Sequence, residues 1–247
     1  MIRRATPFKE LKDQAGYHDL MADLRKPGCP CCHGGHRAAW KYLDGLLWEF
    51  VNDPGVRAGL RAARGFCREH SRMALAVASE QSAAGGIAIV YEDLLGRAEH
   101  TAAQAARSAW RGGPRSRRRS ARDALAPMAG CPACETADRV ADNYLRILAR
   151  SEPESPPAVA LHHSGRGLCF PHLATGLASA RSEQQAERLL EIFGQGTDEL
   201  RRELREFVRK QDYRFRDEGL TTGEASAWKR AVYRMVGEPP PRKPPER

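Results

Sequence analysis

The stretch Cys29-Pro30-Cys31-Cys32, together with Cys67-Arg68-Glu69-His70, sets the organisation of this chain because both motifs occur twice. The second copies read Cys131-Pro132-Ala133-Cys134 and Cys169-Phe170-Pro171-His172. Each ligand-type residue recurs 102 positions later, and the two motifs are 35 positions apart in both copies, from Cys32 to Cys67 and from Cys134 to Cys169. The constant register indicates an internal duplication.

The duplicated motifs have the composition of a metal site. A Cys-x-x-Cys pair and a Cys-x-x-His pair together supply three thiolates and one imidazole, a set that encloses tetrahedral zinc. The sequence therefore predicts two structural Zn²⁺ ions with the ligands Cys29, Cys32, Cys67 and His70, and Cys131, Cys134, Cys169 and His172. We interpret each quartet as binding one ion in its own half of the chain, although exchange of ligands between the repeats is left open. We predict no catalytic residue.

The cysteine content indicates a reducing compartment. The 247-residue chain has seven cysteines, a first segment without the apolar run of a secretory signal, and no run of about 18 apolar residues that could span a membrane. We therefore expect a cytoplasmic location, where thiols bind metal or do redox chemistry rather than form disulfides. Six cysteines belong to the repeated motifs; Cys31, whose counterpart is Ala133, is interpreted as a bystander thiol beside the first site.

Hydrophobic periodicity predicts an all-α fold. Apolar residues recur at helical spacing after each Cys-Pro-x-Cys motif, and no segment alternates like a strand. Asp53-Pro54 is typical of a helix N-terminus, Thr221 and Glu224 form a capping-box pattern, and Gly85-Gly86 and Gly194-Gln195-Gly196 are expected to break or kink helices.

The duplication suggests two pseudo-symmetric helical zinc modules followed by C-terminal helices. We expect a first module over residues 1–111, a basic flexible linker over 112–126, a second module with the C-terminal helices over 127–236, and a disordered tail over 237–247.

The linker carries a local excess of positive charge. Residues 101–130 contain seven arginines against one aspartate, and Arg115, Arg117, Arg118 and Arg119 could contact the phosphates of a nucleic acid. A solvated basic hinge is the favoured interpretation, because aromatic residues for base stacking are absent from residues 112–126. The oligomeric state is not predicted.

Other chemistries fit parts of the motif. Three cysteines and one histidine could hold an iron–sulfur cluster. Cys29 to His33 also matches the haem-attachment string, but Glu135 replaces the histidine in the second copy. A Cys-Pro-x-Cys redox pair lacks its usual βαβ setting, and a zinc hydrolase needs an open coordination position.

Further motifs resemble a known family. Three segments resemble an uncharacterised family of bacterial proteins catalogued as a domain of unknown function. They are Tyr42 to Arg57, which includes Phe50-Val51-Asn52-Asp53-Pro54-Gly55-Val56-Arg57, then Gly65-Phe66-Cys67-x-x-His70, and Asp212 to Glu218. The resemblance covers most of the chain. It implies a helical bacterial protein with duplicated Cys-x-x-Cys and Cys-x-x-His pairs, and it supplies no activity.

These observations favour a non-enzymatic scaffold or regulatory protein, whose zinc ions hold a surface for a protein or nucleic-acid partner. The alternative is a thiol-based redox or metal sensor in which oxidation of zinc thiolates releases the ion. A zinc-dependent hydrolase is less favoured, because four protein ligands leave no position for water.

Overall fold

The computed structural model describes residues 16–109, 122–161 and 166–241, and these residues confirm the all-α prediction. Ten α-helices follow in chain order: α1 (Tyr17–Asp23), α2 (Pro30–Trp48), α3 (Pro54–Ala63), α4 (Arg68–Glu80), α5 (Ala84–Ala109), α6 (Pro132–Ala149), α7 (Pro156–Leu161), α8 (Phe170–Ser179), α9 (Glu183–Arg209) and α10 (Thr222–Val236). A 3₁₀ helix, Tyr213–Glu218, precedes α10. The described ranges contain no strand; an isolated bridge joins Gly28 and Arg166.

The chain divides into two compact units. Unit 1 comprises Met1–Gly35 and Asp138–Pro239, and unit 2 comprises His36–Ala137 and Pro240–Arg247. Helices α2 and α6 each begin in one unit and end in the other. The module boundaries predicted at residues 111 and 127 stay a prediction.

Each unit has its own hydrophobic core. The core of unit 1 includes Leu20, Leu24, Tyr144 and Leu148, and it extends to the first cysteine motif. The core of unit 2 is formed by one face of α2 with residues of α3, α4 and α5, including Leu43, Met73 and Val77. Three of the repeated cysteines, Cys29, Cys32 and Cys169, are themselves part of the core of unit 1.

The predicted helix start signals are confirmed. Asp53 accepts a hydrogen bond at 2.8 Å from the backbone N–H of Val56, and Pro54 is the first residue of α3. The Thr221 side chain accepts a hydrogen bond from the N–H of Glu224, and the Glu224 carboxylate accepts one from the N–H of Thr221. These caps satisfy backbone donors that the helix itself leaves free.

The glycine pairs do not break helices as expected. Gly85 and Gly86 lie in the first turn of α5, and Gly194 and Gly196 lie within the continuous helix α9. Close packing explains two of them, because a Cβ atom on Gly86 would lie 2.4 Å from the carbonyl oxygen of Leu47, and one on Gly196 would lie 2.4 Å from that of Arg166. Tertiary contact thus outweighs the cost of about 1 kcal/mol that glycine imposes on a helix.

Two polar contacts reinforce the cores. In unit 2, Asp93 on α5 forms ion pairs with Arg57 and Arg61 on α3, and the hydrogen bond from Arg61 holds the pKa of Asp93 down at about 2. In unit 1, the hydroxyl of Tyr144 donates a hydrogen bond at 2.9 Å to the carboxylate of Asp23, which is fully buried.

The predicted basic linker lies mostly outside the described residues. Its arginines Arg115, Arg117, Arg118 and Arg119 fall in the gap 110–121, so their proposed contact with nucleic acid stays a prediction. Among the described helices, none combines the length and apolar composition needed to cross a bilayer.

Candidate metal centres

The four duplicated motifs all lie at helix N-termini. Cys29 and Cys131 immediately precede α2 and α6, where proline occupies the first helical position, and Cys67 and Cys169 are the N-cap residues of α4 and α8. The second ligand of each motif follows three residues later, in the first turn of the same helix. Because the N-terminus of a helix favours negative charge, this placement stabilises thiolates.

The first cluster combines Cys29, Cys32, Cys169 and His172, all in unit 1. The Nδ1 atom of His172 lies 3.6 Å from the sulfur of Cys29, 3.5 Å from that of Cys32 and 3.0 Å from that of Cys169. The sulfurs of Cys32 and Cys169 are 3.8 Å apart. The three cysteines are buried.

The second cluster combines Cys67, His70, Cys131 and Cys134, all in unit 2. The Nδ1 atom of His70 lies 3.3 Å from the sulfur of Cys67, 3.2 Å from that of Cys134 and 3.8 Å from that of Cys131. The sulfurs of Cys67 and Cys134 are 3.6 Å apart. Here the histidine is buried and the three cysteines are half-buried.

The interpretation that each quartet lies within its own repeat is wrong. The structure joins the Cys-x-x-Cys pair of each repeat to the Cys-x-x-His pair of the other, so all eight predicted residues cluster but with exchanged partners. Helix length explains the exchange, because the 19 residues of α2 rise by about 28 Å and carry the chain away from Cys32. The ten-residue helix α3 rises by only about 15 Å before the chain reaches Cys67.

Both clusters fit a single tetrahedral ion. In each group the four donor atoms all lie within 4.8 Å of one another. Ligands at 2.0–2.3 Å from one zinc ion would lie roughly 3.3–3.8 Å apart in a tetrahedron, close to the distances found here. An iron–sulfur cluster distributes its ligands over several irons, so this compact S₃N set favours a mononuclear ion such as zinc.

Proton sharing within the clusters matches a metal-binding role. Burial raises the pKa of Cys29, but hydrogen bonds from Cys169, Cys31 and Cys32 outweigh it and hold the pKa well below its ordinary value. Burial lowers the pKa of His172, but hydrogen bonds to Cys169 and Cys29 prevail and raise it to about 10. The pKa of Cys32 is raised by hydrogen bonds to Cys169 and Cys29, so we expect cation binding to release protons.

Two neighbours of the first cluster are not among its four donors. Cys31 lies in the core of unit 1 and hydrogen-bonds to Cys29, and burial raises the pKa of its thiol. The Nε2 atom of His33 is 2.8 Å from the carbonyl oxygen of Pro27, and its Nδ1 atom is 3.5 Å from a Glu238 oxygen. His33 therefore supports the motif rather than completing a haem-attachment site.

The sequence interpretation missed the residues that surround the first cluster. Arg234, near the end of α10, donates hydrogen bonds at 2.8 Å to the carbonyl of Leu168 and at 3.1 Å to that of Arg166. Glu238 accepts a hydrogen bond at 2.8 Å from the N–H of Cys29, and its own N–H points to the sulfur of Cys32 at 3.4 Å. Glu238, which belongs to the predicted tail 237–247, therefore contacts the first cluster.

The electrostatic setting of Arg234 is unusual because the side chain is buried. Burial lowers the pKa of its guanidinium, and negative charge on Cys29 and Cys169 opposes that shift. No spacing signal in the sequence could identify this residue, since Arg234 is separated from Leu168 by 66 positions. The position that would have helped is Gly196, where a Cβ atom would lie 3.1 Å from a guanidinium nitrogen of Arg234.

A cavity of about 370 Å³ adjoins the first cluster. Its wall includes Cys29 and Cys169 together with Arg230, Tyr233 and Arg234. The cavity therefore lies against two ligand residues of the first cluster, beside the end of α10.

Comparison with known proteins agrees with the predicted resemblance. No solved structure matches the chain. A protein of Caldicellulosiruptor sp. (strain Rt8B.4), described as an uncharacterized 23.9 kDa protein in the xynA 3' region, is 25% identical over 221 residues, which cover 88% of this chain and 99% of the relative. A family model described as a family of unknown function matches residues 18–242. The chain therefore belongs to the family of unknown function DUF6062.

Proposed function

We propose that this protein is a non-enzymatic scaffold built around two structural zinc ions. The observation that carries the proposal is the convergence of four donors, three sulfurs and one Nδ1, within 4.8 Å in each cluster. Four protein donors complete a tetrahedral shell, as in structural zinc sites. A hydrolytic site would instead keep one position for water, so catalysis by zinc is not proposed.

The exchanged ligands explain what the ions would stabilise. Each ion would join two helix N-termini that are distant in sequence, α2 with α8 in unit 1 and α4 with α6 in unit 2. Structural zinc contributes about 10–16 kcal/mol of apparent binding free energy in small zinc-finger peptides. Loss of an ion would therefore release both helix starts together.

Metal content and coordination test this proposal. Native mass spectrometry of freshly purified protein should show two Zn²⁺ ions per chain, and X-ray absorption should show three sulfurs and one nitrogen around zinc. Protein that folds fully without metal, or zinc that carries a water ligand, would contradict the structural assignment.

Partial exposure of the second cluster supports a second candidate, a redox or metal sensor. Cys67, Cys131 and Cys134 are half-buried, whereas the cysteines of the first cluster are buried. Peroxide would oxidise the exposed zinc thiolates first and release that ion, and reduction would restore binding. If peroxide reversibly releases one zinc ion per chain and oxidises only the second cluster, the result would support the sensor. If both ions are retained, the result would support the scaffold.

The partner of such a scaffold is proposed to be a protein or a nucleic acid. Nucleic-acid binding through Arg115, Arg117, Arg118 and Arg119 predicts an affinity that falls steeply with salt concentration. Replacement of these arginines by glutamine should reduce both the affinity and its salt dependence. Affinity unchanged by salt and by these replacements would exclude this mode of binding.

A further inference from the structure

The C-terminal end of α10 contacts both motifs of the first cluster. Arg234 binds the carbonyl oxygens of Arg166 and Leu168, which lead into Cys169, and Glu238 binds the N–H of Cys29. These three hydrogen bonds join residues that lie 66, 68 and 209 positions apart in the chain, and they hold the end of α10 against the two ligand loops. We call Arg234 to Glu238 the clasp.

The clasp also contacts the sulfurs. The N–H of Glu238 lies 3.4 Å from the sulfur of Cys32, a donor position that stabilises a metal-bound thiolate. At Gly237, where φ is +84°, a Cβ atom would lie 3.7 Å from the sulfur of Cys32 and 3.9 Å from that of Cys169. The backbone of the clasp thus lies directly against two ligands.

Charge gives Arg234 a further role. Three thiolates around a divalent ion carry one net negative charge, and a buried charge is costly without a counterion. Arg234 is 8% exposed, and its hydrogen bonds go to the backbone carbonyls of Arg166 and Leu168. Among the described residues no carboxylate forms an ion pair with it, and the Glu238 carboxylate interacts with it at longer range. Its positive charge is therefore available to balance the metal centre.

The surrounding glycines make room for this arrangement. A Cβ atom on Gly167 would lie 2.4 Å from a guanidinium nitrogen of Arg234, and one on Gly196 would lie 2.4 Å from the carbonyl oxygen of Arg166. Because both positions lack a side chain, the guanidinium can reach the loop that presents Cys169.

We propose that Arg234 and Glu238 are positioning residues of the first metal centre, which lock both ligand loops around the ion and make it exchange more slowly than the ion of the second centre. This inference rests on the proposed function, since it requires two bound ions. The inference assigns different roles to the two ions. The ion held by the clasp stays bound, whereas exchange of zinc or oxidation of the thiolates begins at the half-exposed second centre.

The test follows cysteine alkylation on zinc-loaded protein in the presence of a chelator. Mass spectrometry separates Cys29, Cys32 and Cys169 from the cysteines of the second centre. In the unmodified chain the second set should react first. Arg234→Met should speed alkylation of the first set by roughly 10–100-fold, the range seen when outer-sphere support of a metal is removed, and should leave the second set unchanged.

Matched variants keep the result interpretable. Glu238→Ala, at the edge of the fold, should give the same selective increase if Arg234→Met does not fold, whereas Glu238→Gln retains an acceptor for the Cys29 N–H and should largely restore slow exchange. Arg201→Met, on an exposed part of α9, is the control. Equal rates for both sets in the unmodified chain, or clasp variants that leave the first set as slow as before, would overturn the inference. Fewer than two zinc ions at the outset would overturn the proposed function itself.

Discussion

The exchange of ligands between repeats makes a sharp prediction for pairs of cysteine substitutions. Cys29→Ala and Cys169→Ala remove donors of the same cluster, whereas Cys29→Ala and Cys67→Ala remove donors of different clusters. We therefore expect the 29/169 double variant to retain one zinc ion and the 29/67 double variant to retain none.

The magnitude follows from the number of donors that remain. A cluster that loses one of its four donors already binds its ion weakly. Loss of a second donor from the same cluster therefore has little further effect on the number of ions bound. Stability effects within one cluster should thus be far from additive, while those in separate clusters should approximately add. If each ion contributes several kcal/mol, the 29/67 variant should unfold at clearly lower urea concentration than the 29/169 variant.

Native mass spectrometry counts the ions, and urea titration followed by circular dichroism measures the stability. Cys31→Ala is the matched control, because Cys31 neighbours Cys29 yet lies outside the cluster, so this variant should keep both ions. The opposite pattern, with both ions lost from the 29/169 variant and one retained by the 29/67 variant, would refute the exchanged pairing and restore a site within each repeat.

Three further predictions concern the fold. Asp93→Asn should lower the melting temperature at neutral pH. The hydrogen bond from arginine depresses the pKa of Asp93 to about 2. The difference in melting temperature between the variant and the unmodified chain should therefore persist above pH 4 and vanish as the pH falls through about 2. Tyr144→Phe removes the hydroxyl that donates to the buried Asp23 and should cost about 1–3 kcal/mol in urea unfolding; an unchanged free energy of unfolding would contradict this role. Gly86→Ala should cost about 1–3 kcal/mol, whereas Gly96→Ala, with open space around it, should stabilise by about 0.5–1 kcal/mol; equal effects would contradict the packing argument.

The sequence predicted the donors well because their chemistry is local. A spacing of three residues at a helix start places both side chains of a motif on one side of the first turn, so Cys67 with His70, and Cys131 with Cys134, could be identified without tertiary information. The same holds for caps such as Thr221 with Glu224, where a side chain bonds to backbone three residues away. The family resemblance was likewise carried by such local motifs, and it is confirmed.

Pairing of the motifs could not be predicted because both pairings satisfy the same chemistry. A duplicated sequence supplies two identical sets of donors, and only the course of the chain between them decides which set is near. That course depends on α2 continuing to Trp48 without a break, which separates Cys67 from Cys32. The clasp was missed for a related reason, since a hydrogen bond from Arg234 to a distant carbonyl leaves no pattern in the sequence.

The exchanged pairing gives the duplication a physical meaning. Had each repeat bound its own ion, either half could fold around metal alone, and the two halves would be independent modules. Here each cluster takes one motif from each repeat, so neither repeat contains all four donors of one cluster. A chain cut within residues 112–121 should consequently yield halves that each hold one Cys-x-x-Cys pair and one Cys-x-x-His pair from different clusters, and zinc should bind tightly only when both halves are mixed.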